Sequence, residues 1–132
     1  MVAMLKRIVF PVTRGFTLIE LLVVMAIIAT LLSIVAPRYF TSVDRARETV
    51  LKQNLAIMRD AIDKYFSDTG KYPQSLQQLV DERYIRAIPL DPVMEQPVWA
   101  EIPPPDESME GVYDVRTTSD KQALDGTFYE KW

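Results

Sequence analysis

The sequence predicts an α+β fold in which one long N-terminal helix packs on a small C-terminal antiparallel sheet. Three features predict it. An almost unbroken apolar run covers residues 16–36, a stretch with helical period continues to about residue 69, and short alternating segments flank an Asp-Gly turn near the end of the chain. The 132 residues leave room for one small domain beside such a helix. With no cysteine and no histidine, the chain has no disulfides, no thiol nucleophile, no zinc site of the usual kind and no imidazole to move protons near neutral pH. Fifteen basic against 18 acidic residues give a net charge of -3. Such a chain lacks the general attraction to phosphate backbones, so nucleic acid is excluded as the main partner.

The first element is the apolar run FTLIELLVVMAIIATLLSIVA over residues 16–36. As a helix it spans about 31 Å, the thickness of a bilayer's hydrocarbon layer. A buried core helix is the competing reading, but a domain this small has too little material to surround it. Lys6, Arg7 and Arg14 precede the run and no acidic residue does, so the charge divides as +3 before it and -6 after. Cations flanking a membrane span stay on the cytoplasmic side, which places the amino end inside and the bulk of the chain in the periplasm or exterior. A cleaved secretory signal, with Lys6 and Arg7 as its positive region and a cut near Ala29 or Ala36, is the rival account.

Glu20 lies five residues into this run, where an ionised carboxylate costs several kcal/mol unless it is neutralised or paired. Headgroup proximity is the plain explanation, although a carboxylate's short side chain reaches less far than that of Lys or Arg. The residues Arg14-Gly15-Phe16-Thr17-Leu18-Ile19-Glu20, followed by LLVVMAIIATLLSIVAP, closely resemble the prepilin leader and anchor of type IV pilins and type II secretion pseudopilins. The resemblance implies a leader over residues 1–15, removed by a prepilin peptidase between Gly15 and Phe16. It also implies methylation of the new Phe16 amine and a membrane and assembly helix over residues 16–37. Cleavage would create a positive amine on Phe16 in the layer that holds the Glu20 carboxylate, and in the family that carboxylate is satisfied by a neighbouring subunit's amine during filament assembly. Glu20 is on this view an assembly residue. Gly15 fits the cut because a residue without Cβ lets a protease approach the backbone. Pro37 removes a helical N–H, so the helix is expected to kink or loosen around Ala36.

The periplasmic head is expected over residues 38–132, beginning with an amphipathic helix over 38–69. Val43, Ala46, Val50, Ile57, Ala61 and Tyr65 fall on one face, with Leu51, Leu55, Met58, Ile62 and Phe66 beside them. Asp44, Arg45, Arg47, Glu48, Lys52, Arg59, Asp60, Asp63 and Lys64 mostly occupy the other side, and Gly70 with Pro73 supplies the stop. A heptad coiled coil competes, but the apolar stripe is wide and suits a sheet packed against it.

Ser75 and Gln78 are spaced as a capping box for a short helix. GKYP over 70–73, with Tyr84-Ile85 and Ile88-Pro89-Leu90-Asp91-Pro92, resembles the head of the G-type major pseudopilin. The chain departs from that pattern at Val93-Met94, where Trp and Gly are usual, and Trp99 comes later. Residues 96–111, with four prolines and several acids, are expected to form an irregular surface loop without a strand. Strands are expected over 112–116 and 127–132.

Between those strands, residues 117–126 resemble the loop that binds calcium in G-type pseudopilins. The resemblance implies Asp120 and Asp125 as carboxylate ligands, with Ser119 and backbone carbonyls completing the oxygen shell. Lys121 opposes such a site, and a plain Asp125-Gly126 turn with a Ser119-Asp120 loop cap reads equally well. No other cofactor is implied.

The function implied by the resemblance is structural: a subunit of a periplasmic type II secretion filament, the pseudopilus. Its partners would be further copies of itself, minor pseudopilins, the prepilin peptidase, the inner-membrane assembly platform and the lipid bilayer. Energy would come from a separate ATPase, because the chain has no phosphate-binding glycine loop. A type IV pilus or DNA-uptake pseudopilus subunit shares the same anchor. From other classes come a solitary membrane-tethered binding module and a hydrolase using Asp114 with Asp120 or Glu107 with Glu110. The hydrolase has no pocket-forming pattern behind it.

Overall fold

The computed structural model describes residues 3–4 and 8–132. Lys6 and Arg7, two of the three cations of the N-terminal flank, lie outside the described residues. The chain divides into two compact units, residues 1–38 and 39–132. The fold is the α+β arrangement expected, with helix α1 Leu18–Thr69, helix α2 Leu76–Asp81, and strands β1 Ala100–Ile102 and β2 Asp114–Arg116.

In the first unit α1 begins behind a capping box. The Glu20 amide donates to Thr17 Oγ1 at 3.2 Å, and the Thr17 amide donates back to Glu20 Oε2 at 3.5 Å. The polar residues further along return their hydroxyls to the preceding turn, Thr30 to the Ala26 carbonyl and Ser33 to the Thr30 carbonyl. Their polar groups are thereby satisfied within the helix, as hydrocarbon surroundings require. None of the apolar window of α1 is buried, whereas a core helix would be. The helix continues through Pro37, so the proline does not end it.

The head, residues 39–132, is organised around the second half of α1. Leu51, Leu55, Met58 and Ile62 recur at spacings of four, three and four, and all are buried. Each fully buried leucine there contributes about 1.5–3 kcal/mol. The packed stripe is narrower than the sequence suggests: Val50 and Ile57, expected on the core face, are 42% and 49% exposed. Gly70, in the left-handed region at φ 72°, ends α1 and donates its amide to the Phe66 carbonyl. Ser75 then caps α2 through the Gln78 amide, while Gln78 Oε1 accepts from the Gln74 amide, one residue before the partner a capping box would use. Leu76 and Leu79 of α2 close on the same core with Ile85, Trp99, Val112, Val115, Ala123 and Tyr129. This core occupies the α1 stripe in place of a coiled-coil partner.

The sheet corrects two expectations. Its strands β1 and β2 pair antiparallel with Glu101 opposite Val115, so β1 lies inside the segment expected to be strandless. Pro103, Pro104 and Pro105 follow β1 directly and confine it to three residues, because they can donate no ladder hydrogen bonds. Residues 127–132 do not form a strand. The segment makes one bridge, Gln122 to Phe128, and then turns into a 3₁₀ helix over Tyr129–Lys131. Gly111 is required where the chain enters β2. At φ 117° it passes so close to the α1–α2 connection that a Cβ would lie 2.7 Å from the Pro73 carbonyl oxygen.

Candidate functional site

The residues singled out at the start of α1 form one exposed group. Gly15 and Phe16 precede the helix, and the Phe16 side chain is 86% exposed. A Cβ built on Gly15 meets nothing within 4 Å, and its backbone is not in the left-handed region. Neither packing nor conformation within the chain requires glycine there. Glu20 faces outward as well, with its carboxylate turned to the Thr17 amide. Beyond it, Leu21, Leu22, Val23, Val24, Met25, Ile27 and Ile28 are all 44–60% exposed. This helix therefore presents apolar side chains all round, as a membrane-embedded segment does. Pro37 follows at the end of the apolar run.

The residues expected to bind calcium are placed differently. Asp125 Oδ1 accepts from both the amide and the hydroxyl of Thr127, at 2.9 and 2.6 Å, and these bonds hold its carboxyl below the usual carboxylate range. Ser119 is buried, and its Oγ accepts from the Lys121 amide. The carbonyls of Lys121 and Ala123 accept from the amides of Tyr129 and Gly126. Asp120 is exposed. Among the described residues no three acidic side chains gather round one point. Calcium takes six to eight oxygens. In this loop a hydroxyl, a carboxylate oxygen and two carbonyls already accept hydrogen bonds, and the acidic side chains do not converge, so the arrangement is not a closed calcium cage.

Three polar residues organise the head in ways the sequence pattern did not reveal. Arg59, assigned by helical period to the solvent face, donates to Asp114 Oδ1 at 2.7 Å, to the Val115 carbonyl at 3.0 Å and to the Trp132 carbonyl at 2.7 Å. Glu48 Oε1 accepts from the Leu124 amide at 2.6 Å and the Tyr129 hydroxyl at 3.0 Å. Asp91 is fully buried, its two oxygens shared among the amides of Val93 and Met94 and the hydroxyl of Thr117. The Asp91-Pro92 dipeptide carried a signal for the last of these, since Asp before a turn commonly accepts from the amide two residues on. For Arg59 and Glu48 no local signal exists, because their partners lie 55 to 81 residues away. Of the paired carboxylates considered for hydrolysis, Asp114 is bound to Arg59 and lies near Arg116.

Comparison with known proteins gives the same picture from outside. The prokaryotic N-terminal methylation motif matches residues 12–36, the segment from before Gly15 to the end of the apolar run. The type II secretion system core protein G of Klebsiella michiganensis is 33% identical to this chain, over 60% of this chain and 67% of that protein. That of Klebsiella pneumoniae is 34% identical, over 60% and 68%. The type IV major pilin protein PilA of Myxococcus xanthus is 39% identical, but over only 47% of this chain and 28% of that protein. No solved structure matches. The likeness to the core protein G sequences extends over two thirds of their length, and on that extent the chain belongs to the type II secretion system core protein G family of pseudopilins.

Proposed function

We propose that this chain is a structural subunit of a type II secretion pseudopilus, held in the membrane by the apolar half of α1 and polymerised through it. The observation that carries this reading is the junction of an exposed, bilayer-length apolar helix with the Gly15-Phe16-Thr17-Leu18-Ile19-Glu20 segment, inside the methylation motif. Gly15 is compatible with cleavage by a separate peptidase: nothing in its own chain occupies the space around it, and a residue without Cβ lets a protease approach the backbone. Methylation then falls on Phe16, and the Glu20 carboxylate receives the amine of an incoming copy. Pro37 allows the helix to loosen locally as copies pack.

The amino end lies in the cytoplasm and the head in the periplasm, on the strength of Arg14 and the other cations ahead of the run. The partners are further copies, minor pseudopilins, the prepilin peptidase and the inner-membrane assembly platform. The role is scaffolding, and two of the acids serve the fold: Asp114 pairs with Arg59, and Asp91 ties two loops together.

The test is the intact mass of the protein extracted from its native membrane, with and without the prepilin peptidase. A chain beginning at methylated Phe16, and retained from Met1 when the peptidase is removed, is the expected result. A chain that keeps its first 15 residues beside an active peptidase, or one cut near Ala29 or Ala36, overturns the proposal.

A further inference from the structure

Glu48, Lys52, Leu55 and Arg59 stand at spacings of four, three and four along α1, one row on a single helix face. Every one of them meets the end of the chain. Glu48 accepts from the Leu124 amide and the Tyr129 hydroxyl. The Lys52 ammonium lies 4.4 Å from the centre of the Trp132 ring, Leu55 lines the groove beside that ring, and Arg59 donates to the Trp132 carbonyl. Asp91 fastens the other end of the segment through the Thr117 hydroxyl, and that hydroxyl oxygen in turn accepts from the Ser119 amide. The amide of Leu124 and the hydroxyl of Tyr129 are donors. A bound cation could not satisfy them, whereas a carboxylate satisfies both.

From this we infer that residues 117–132 are closed onto the head by this row of α1, with Glu48 as the principal clasp, and that the head needs no metal ion to reach or hold its fold. Glu48 is a positioning residue that fixes the loop by accepting its inward-facing donors. Four of the loop's own oxygens already accept local bonds: Asp125 Oδ1 from Thr127, Ser119 Oγ from the Lys121 amide, and the Lys121 and Ala123 carbonyls from the amides of Tyr129 and Gly126. This inference stands apart from the pseudopilus assignment, since a subunit of any filament could carry either kind of closure.

Both tryptophans of the chain, Trp99 and Trp132, lie in the head, so their fluorescence reports its unfolding in the full-length protein in detergent micelles. The first comparison is the thermal midpoint in EDTA against that in millimolar calcium chloride. The midpoints are expected to agree within about 2 °C, and a larger calcium-dependent rise overturns the inference. The second comparison is made in EDTA. Glu48→Ala is expected to lower the midpoint by about 5 °C or more, and Glu48→Gln, which keeps an acceptor oxygen, by less. An unmoved midpoint for Glu48→Ala overturns the inference as well. Should Glu48→Ala fail to fold, the wild-type comparison still decides, because it needs no variant.

Discussion

At the scale of single residues, Glu20 accepts from the Thr17 amide within its own chain, and the proposed assembly would add an amine from another copy. The capping box contributes about 1 kcal/mol to the start of α1, and Thr17 and Glu20 share it. The assembly role proposed above belongs to Glu20 alone. Thr17→Ala is therefore expected to be processed, inserted and assembled, whereas Glu20→Ala is processed and inserted but gives no filaments. Electron microscopy of sheared filaments, with immunoblots of membrane fractions, separates the two. Equal loss of filaments in both variants would reduce Glu20 to a helix cap. The carboxylate was legible in the sequence because its cost in hydrocarbon singled it out. Its bond to Thr17 was equally available in the Thr-x-x-Glu spacing, a local signal that the surrounding apolar run masks.

At the scale of elements, the long helix and its C-terminal end could be read directly, since a period of 3.6 and a terminal glycine are local signals. The sheet could not. Strand β1 has three residues between Trp99 and a run of prolines, too short for alternation to show, and it exists because β2 supplies its hydrogen bonds. The entry to β2 depends on Gly111. Alanine there would combine a strained left-handed backbone with a Cβ 2.7 Å from a carbonyl oxygen that also accepts the Val112 amide. Gly111→Ala is expected to destabilise the head by about 2–4 kcal/mol, measured as a lowered urea midpoint of tryptophan fluorescence. Gly70→Ala, with open space around it, carries the backbone penalty alone and costs about 1 kcal/mol. A milder effect at Gly111 than at Gly70 would contradict the close approach.

For the head as a whole, tyrosines and carboxylates bound the pH range of stability. Tyr84, hydrogen-bonded to Asp68, is pushed up to about 12, as is Tyr129, through burial and the adjacent Glu48. A phenol whose folded value is raised stabilises fully below its ordinary value near 10, and the contribution is lost as pH climbs to about 12. Asp106 and Asp125 are shifted the other way, chiefly by the hydroxyls of Ser108 and Thr127. Their contribution is present above about pH 4 and lost as pH falls through their lowered folded values. The thermal midpoint is expected to be flat from about pH 6 to 9 and to fall on both sides. Tyr84→Phe with Tyr129→Phe should flatten the alkaline limb between about pH 10 and 12, and a limb unchanged in that variant would contradict these assignments.

The clasp on Glu48 also has a consequence in time. Its partners lie 76 and 81 residues further along the chain, and those of Arg59 as many as 73. Closing loops of that length is slow compared with forming a helix, so α1 can form early while the head has to wait for its last residues. In a chain made amino end first, the head is thus the final part of the molecule to become rigid. Until Tyr129 and Trp132 have been made and have docked, the row of α1 that receives them stays open to chaperones and proteases.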